Sequence, residues 1–207
     1  MNWELENGLI DEGVRANFIC GTDEAGRGPL AGDVYAAAVI LPHGIEIEGL
    51  FDSKSLSPKR REKLYDIIVE KALDYAVAYS NINEIDNLNI LNASLKAMRR
   101  AVDKLKITPD YILVDGHIVR YFGDLNEQGI MTKGIIKGDS MSPNIAAASI
   151  LAKVERDRYM RELAEMYPFY KFEKNKGYPT REHIERLIAF GKSPVHRESF
   201  LKKILPE

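Results

Sequence analysis

The sequence of 207 residues lacks the features that mark secreted, membrane-spanning and zinc-binding proteins. It has one cysteine, Cys20, which excludes an internal disulfide and therefore a disulfide-stabilised secreted scaffold. Its longest apolar run, Val34 to Leu41, is far shorter than the ~20 residues that a helix needs to cross a bilayer. The four histidines are scattered, and no CxxC or HExxH motif is present, so no zinc site is indicated.

The composition is that of a globular protein, with 45% hydrophobic and 29% charged residues. The length fits one domain, or one domain with a small appendage, at roughly 150 residues per domain. The first seven residues contain acids and neither a basic nor an apolar stretch, so we expect no signal peptide. Together with the single cysteine, this pattern predicts a cytoplasmic protein that does not associate with membranes.

Charge is unevenly distributed, although the formal net charge is only -2. Residues 153–203 contain 13 Lys and Arg against 8 Asp and Glu, whereas the rest of the chain contains 16 basic and 23 acidic residues. A basic C-terminal quarter beside an acidic body suits a polyanion held near a cluster of carboxylates. The alternative is a solvated helical face, and charge counts alone favour that alternative.

Short apolar runs alternate with helical patterns, which predicts an α/β domain with a mixed sheet. The predicted strands are 18–22, 34–41, 74–80, 111–114 and 131–136. The near-continuous apolar character of 34–41 predicts burial on both faces. Serine caps followed by proline predict helices from Ser57-Pro58 and from Ser142-Pro143 through Met166. Further helices are predicted over 88–105, 181–190 and 198–205.

Acidic residues stand at the ends of these predicted elements, where functional side chains concentrate. Asp23 and Glu24 end or closely follow the first strand, Asp115 follows the fourth, and Asp139 precedes the helix that begins at Ser142. If the first and fourth strands are neighbours, Asp23 and Asp115 lie side by side. Crowded carboxylates repel one another unless a cation lies among them, and oxygen ligands suit Mg²⁺ and Mn²⁺. The alternative is that each acid is a solvated turn residue.

The segment Asp23-Glu-Ala-Gly-Arg-Gly28 resembles the signature of the type 2 ribonucleases H (ribonuclease HII), which cut the RNA strand of RNA/DNA hybrids. Further matching segments follow in the family's order at 29–32, 52–57, 89–93, 113–116, 137–140, 145–154 with 156–157, 177–183 and 196–200. The resemblance implies a ribonuclease H-like fold, in which a five-stranded mixed sheet is flanked by helices. It also implies a catalytic domain over 1–167 and a C-terminal helical extension over 168–207 that binds substrate.

The resemblance implies that Asp23, Glu24, Asp115 and Asp139 are catalytic and bind two divalent ions, Mn²⁺ or Mg²⁺. The implied reaction is hydrolysis on the 5′ side of a ribonucleotide, giving 3′-hydroxyl and 5′-phosphate ends, also at single ribonucleotides within duplex DNA. A role in ribonucleotide repair follows, and we expect a monomer that binds nucleic acid. One departure is Asp33, where the family usually has proline. This acid is either exposed and without a role or disturbs metal affinity, and we favour the first.

Residues outside the acidic set are implied to bind the substrate. The resemblance implies that Gly26-Arg27-Gly28 reads the ribose 2′-hydroxyl through main-chain atoms, and that Tyr178 packs on the neighbouring sugar. A 2′-hydroxyl is the feature that distinguishes RNA from DNA at one position. Lys54, Lys153 and Arg156 are candidates for phosphate contacts. We favour Lys54 alone and interpret the other two as solvated charges.

Two other classes of function stay open. One is a module that binds RNA/DNA hybrids without cutting them. The other is a metal-dependent enzyme that acts on small phosphate compounds through the glycine-rich segment. The absence of GxxxxGK[ST] and GxGxxG motifs speaks against the second class. Four intact acids speak against the first, because a binding module does not need them.

Overall fold

The computed structural model of the chain describes residues 3–52, 56–202 and 204. Its strands are β1 (Ile19–Ala25), β2 (Val34–Ile40), β3 (Asp74–Ser80), β4 (Tyr111–Asp115) and β5 (Met131–Ile135). They form one sheet in the order β3-β2-β1-β4-β5. The β1–β2 and β2–β3 pairs are antiparallel, whereas β1–β4 and β4–β5 are parallel. The predicted five-stranded mixed sheet is confirmed.

Helices connect the strands and flank both faces of the sheet. They are α1 (Glu4–Asp11), α2 (Pro58–Lys71), α3 (Ile82–Leu88), α4 (Ile90–Asp103), α5 (Gly123–Glu127), α6 (Pro143–Met166), α7 (Phe172–Asn175), α8 (Arg181–Phe190) and α9 (Glu198–Leu201). Serine caps begin two of them as predicted: the Ser57 hydroxyl accepts from the Arg60 amide, and the Ser142 hydroxyl accepts from the Ile145 amide. The sequence patterns do not predict α1, α3, α5 or α7.

Two cores lie on opposite faces of the sheet, and β2 contributes to both. Ala37 and Val39 pack into the core that α2 and α6 cover, whereas Ala36, Ala38 and Ile40 pack into the core that α4 covers. Successive side chains of a strand point to opposite faces, so a strand between two helical layers needs apolar residues at every position. The predicted burial of this strand on both faces is therefore confirmed.

The helix predicted over 88–105 is shorter in the structure, because Asn89 separates α3 from α4. The backbone of Asn89 has φ of 68° and ψ of 161°, far from helical values, so it ends α3 and stands before the first turn of α4. Its side-chain oxygen accepts a hydrogen bond from the Asn92 amide at 3.1 Å and so caps α4. The last helix is also shorter than predicted, since α9 ends at Leu201.

The C-terminal residues share a third core with the end of α6 and with the segment that follows β1. Leu30 and Ala31 of that segment pack against Met160 and Leu163 of α6 and against residues of the C-terminal part, namely Tyr170, Phe172, Leu187 and Leu201. The main chain joins them as well, because the Leu30 amide donates to the Gly177 carbonyl at 2.7 Å. Within the described ranges, no helix combines the length and apolar character needed to cross a membrane.

Candidate active site

Asp23 and Asp115 lie next to each other on adjacent parallel strands. Thr22 of β1 pairs with Val114 of β4, so the residues that follow them occupy neighbouring positions on strands about 4.8 Å apart. Asp23 and Glu24 lie inside β1 rather than after it, because β1 continues its pairing with β2 to Ala25. The sequence places the end of this strand at 22, since two successive acids are atypical of a strand.

Asp139 reaches the same edge of the sheet through a short turn after β5. Lys137 has a left-handed backbone, and a 3₁₀ turn over Gly138–Ser140 leads into α6. The Gly138 amide donates to Oδ1 of Asp115 at 2.8 Å, which fixes the turn against the end of β4. Asp139 itself is only 8% exposed. The structure therefore brings the predicted acids of β1, β4 and this turn to one edge of the sheet.

Burial and mutual repulsion raise the pKa of the carboxyl group of Asp23 well above its usual range. Burial is the larger cause, and the negative charges of Glu24 and Asp115 add to it. A hydrogen bond from the Ser149 hydroxyl and one from the Glu24 amide, at 2.7 Å, act in the opposite direction. Burial also raises the pKa of Glu24, and Arg27, whose guanidinium lies 3.2 Å from its Oε1, partly offsets this rise.

These features fit a hard divalent cation, because the side-chain donors are carboxylate oxygens and their charges are incompletely neutralised. Within residues 3–52, 56–202 and 204, however, no three acidic, histidine or cysteine side chains form a ready-made ligand set. The carboxylates are engaged by the chain instead: Glu24 with Arg27, and Asp115 with the Gly138 amide. A cation would have to draw them together.

A cavity of about 410 Å³ adjoins the acidic edge and contains most of the predicted substrate-binding residues. Its lining comprises Glu24, Ala25, Gly26, Arg27, Gly28, Arg61, Ser149, Ile150, Lys153 and Tyr178. Tyr178 is 40% exposed, and its ring faces Gly28. Lys153 lines the cavity while pairing with Asp157, so it is not merely a solvated charge. Lys54 lies outside the described residues.

The sequence interpretation misses Ser149 and Arg197 and gives Arg156 the wrong role. Arg156 is completely buried and donates to the main-chain carbonyls of Ala31, Asp33 and Lys176, so its candidacy for a phosphate contact is wrong, as is its interpretation as a solvated charge. Arg197 is equally buried. A buried arginine carries no mark in a single sequence, because most arginines are exposed. The only available signal is their place in segments that resemble the family.

Asp33 is buried, so its expected exposure is wrong. It is only 8% exposed, and burial raises the pKa of its carboxyl group to about 6, despite the opposing influence of Arg197. Its carbonyl accepts hydrogen bonds from both Arg156 and Arg197. Asp33 therefore helps to fix the segment after β1 against the rest of the protein, and its side chain interacts with Tyr159 of α6.

The sheet order, the flanking helices and the acidic edge define a ribonuclease H-type protein. The fold is similar to that of ribonuclease H2 from Pyrococcus horikoshii OT3, with a TM-score of 0.71 and 30% identity over 90% of this chain and 96% of that chain. It is also similar to Bst ribonuclease HIII in complex with Mn²⁺, with a TM-score of 0.61 and 19% identity over 88% of this chain and 66% of that chain.

Sequence similarity identifies the family within the ribonuclease H-type proteins. A model of the ribonuclease HII family matches residues 20–203. Ribonuclease HII from Caldicellulosiruptor saccharolyticus is 52% identical over 203 residues, which cover 98% of this chain and 95% of that protein. The chain belongs to the ribonuclease HII family, and it is therefore an enzyme of the nuclease class. The resemblance found in the sequence is confirmed.

Proposed function

We propose that this ribonuclease cleaves the RNA strand of RNA/DNA hybrids, and single ribonucleotides embedded in duplex DNA, on the 5′ side of the ribonucleotide. The products carry a 3′-hydroxyl and a 5′-phosphate. One observation carries the proposal: the acidic edge formed by β1 and β4 adjoins a cavity lined by Gly26–Gly28 and Tyr178. Hydrolytic groups and ribose-reading groups thus lie within reach of one nucleotide. Glu24 belongs to the acidic edge and also lines the cavity.

Four carboxylates are proposed to hold two divalent ions, Mg²⁺ or Mn²⁺. Asp23 and Asp115 are the central ligands, and Glu24 and Asp139 complete the two positions. When bound, such ions stabilise the charge on the attacking and leaving oxygens of phosphodiester hydrolysis. The raised pKa values of Asp23 and Glu24 support the assignment, since buried carboxylates that repel one another gain most from a nearby cation.

The chain's own residues orient the reacting groups. The Ser149 hydroxyl and the Glu24 amide hold the Asp23 carboxylate. Main-chain groups of Gly26–Gly28 can approach a sugar closely, because glycine has no Cβ. Tyr178 faces this segment across the cavity and provides an aromatic surface for the adjacent sugar. We propose that residues 168–207 act as the substrate-binding part, and that the enzyme acts as a cytoplasmic monomer in the repair of misincorporated ribonucleotides.

A cleavage assay tests the proposal directly. A duplex DNA carrying one ribonucleotide should be cut on the 5′ side of that ribonucleotide in Mg²⁺ or Mn²⁺, and the all-DNA duplex should stay intact. Chelation of the metal by EDTA should stop the reaction. Binding without cleavage in either metal would instead favour the non-catalytic hybrid-binding module. Hydrolysis of free nucleotides would favour an enzyme that acts on small phosphate compounds.

Replacement of Arg27 by alanine should lower the cleavage rate at a single ribonucleotide by about tenfold or more. Arg27 lines the cavity, and hydrogen bonds to charged groups typically contribute about 1.5–3 kcal/mol. Steady-state cleavage of the single-ribonucleotide duplex measures the effect. Arg181→Ala is the matched control, because Arg181 is exposed and pairs only with Glu185 among the ion pairs of the described chain. Equal rates for Arg27→Ala and the wild type would remove Arg27 from the substrate site.

Replacement of Tyr178 by alanine should reduce the preference for RNA–DNA junctions over uniform RNA/DNA hybrid. A deoxyribose fits against the ring, whereas a further 2′-hydroxyl crowds it, and for scale the stacking of a base on an aromatic side chain contributes about 1–3 kcal/mol. The ratio of the two cleavage rates should therefore fall by about fivefold or more. Tyr178→Phe keeps the ring and should keep the ratio. An unaltered ratio in Tyr178→Ala would contradict the contact between ring and sugar.

A further inference from the structure

Arg197 is buried against the segment that joins β1 to β2, and all of its donors serve that segment. Nε donates to the Gly32 carbonyl at 2.8 Å. Nη1 donates to the carbonyls of Pro29, at 2.8 Å, and Arg27, at 3.2 Å. Nη2 donates to the carbonyls of Gly26, at 2.8 Å, and Asp33, at 3.3 Å. A guanidinium has five N–H groups, so this side chain is fully used by main-chain carbonyls of residues 26–33.

Arg156 completes the same arrangement from α6. Nε donates to the Asp33 carbonyl and Nη2 to the Ala31 carbonyl, both at 3.1 Å. Nη1 donates to the Lys176 carbonyl at 3.1 Å, two residues before Tyr178. The Arg197 amide adds a bond to the Leu30 carbonyl at 2.8 Å. Together the two arginines turn the carbonyls of residues 26, 27 and 29–33 towards the protein interior.

We propose that Arg197 and Arg156 are positioning residues that make the ribose-reading segment, Gly26–Gly28, present the N–H groups of Arg27 and Gly28, and not the carbonyls of Gly26 and Arg27, to the 2′-hydroxyl. In a trans peptide the C=O and N–H groups point in opposite directions, and the described chain contains no cis peptide. The carbonyls of Gly26 and Arg27 face Arg197, so the amides of Arg27 and Gly28 face away from it, on the side of the cavity that these residues line. This inference rests on the proposed function.

The burial of two guanidinium groups is energetically costly, which indicates that they have a specific role in the site. Two guanidinium groups are removed from water near each other, and burial, together with the charge of Arg156, lowers the pKa of Arg197 to about 9. Buried charges are costly unless they are fully hydrogen-bonded, and apolar packing would stabilise the fold without that cost. Hydrogen bonds from a cation also polarise the accepting peptide units, which strengthens their N–H groups as donors.

The test compares ribose discrimination in Arg197→Lys, Arg156→Lys and the control Arg99→Lys. Lysine keeps the charge but has three donors on one atom, so it cannot serve five carbonyls. Arg99 pairs with Asp103 and Asp124 and donates to the Tyr121 carbonyl. The readout is kcat/KM for a duplex with one ribonucleotide divided by kcat/KM for the same duplex with a 2′-fluoro nucleotide, since fluorine is a poor acceptor for N–H donors.

We expect this ratio to fall by about tenfold in Arg197→Lys, by a smaller factor in Arg156→Lys and not at all in Arg99→Lys. Both rates come from one preparation, so the ratio does not depend on how much of the protein is folded. A wild-type ratio in folded Arg197→Lys and Arg156→Lys would overturn the inference. Circular dichroism showing that both variants are unfolded would also overturn it, because the arginines would then hold the fold as a whole. If the wild type does not cut at the ribonucleotide, the proposed function itself fails.

Discussion

Replacing Asp23 with asparagine should abolish nearly all cleavage and, in metal-free buffer, raise the melting temperature. Loss of a ligand from a two-metal site removes several kcal/mol of charge stabilisation, which corresponds to a rate loss of roughly 10³. Asparagine preserves the shape of the side chain and can still accept the hydrogen bond from the Glu24 amide. Cleavage of the single-ribonucleotide duplex measures the loss. An Asp23→Asn variant with wild-type activity would remove this carboxylate from the metal site.

The rise in stability follows from the direction of the Asp23 pKa shift. A carboxyl group whose pKa is higher in the folded protein destabilises the folded state at every pH above that pKa. The destabilisation grows as the pH rises from the ordinary pKa of a carboxyl group to the raised pKa, so it is present at pH 7, and it disappears only when the pH falls to the ordinary pKa. Asparagine carries no charge, so we expect it to stabilise the metal-free protein and to raise its melting temperature.

Thermal melts in EDTA and in Mg²⁺ distinguish the removal of the Asp23 charge from a non-specific effect of the substitution on stability. The wild type should gain more from Mg²⁺ than Asp23→Asn does, since the cation relieves the same repulsion that the substitution removes. The difference in EDTA should also narrow at lower pH. Asp66→Asn, on the exposed face of α2, is the matched control and should shift neither melt. Equal melting temperatures for Asp23→Asn and the wild type in EDTA would contradict the raised pKa.

The pattern of apolar runs predicts that Asp23 and Asp115 lie close together, because both acids come at or near the ends of runs that can pair as parallel strands. Which strands pair does not follow from periodicity, so this prediction depends on the first and fourth strands being neighbours. The observed pairing of β1 with β4 satisfies the condition. The glycine-rich segment and Tyr178 required the family resemblance, because neither signal is specific by itself.

Arg156 and Arg197 show why the residues that hold the main chain of the site in place could not be predicted. Arg156 and Arg197 contribute to the basic excess of residues 153–203, yet both are buried against carbonyls and add nothing to an exposed basic surface. Their partners are main-chain oxygens, which every residue has, so no charged partner in the sequence marks the interaction. The burial of Asp33 could not be predicted either. An acid between a glycine and an apolar run suggests an exposed side chain, whereas tertiary packing buries it.

Replacing Gly28 with alanine should leave stability unchanged and reduce cleavage at a ribonucleotide by about a hundredfold. A Cβ at Gly28 would lie 3.5 Å from Cε1 of Tyr178, an ordinary van der Waals distance, and the backbone there is not left-handed. The free energy of unfolding should therefore change by no more than about 0.5 kcal/mol. The added methyl group, however, lies on the cavity wall beside the main-chain groups that are proposed to contact the ribose 2′-hydroxyl, and misplacement of a substrate by about 1 Å can cost a factor of about 100.

Gly26→Ala is the contrasting variant, because it damages the protein before any substrate binds. A Cβ at Gly26 would lie 2.0 Å from Nε of Arg156, and the backbone φ there is +103°. This variant should lose both stability and activity, whereas Gly28→Ala should lose activity alone. Denaturant unfolding and cleavage kinetics on the two variants measure the separation. Full activity in a folded Gly28→Ala would mean that the ribose does not approach Gly28 closely, and the ribose-reading segment would then have to be sought elsewhere in the cavity.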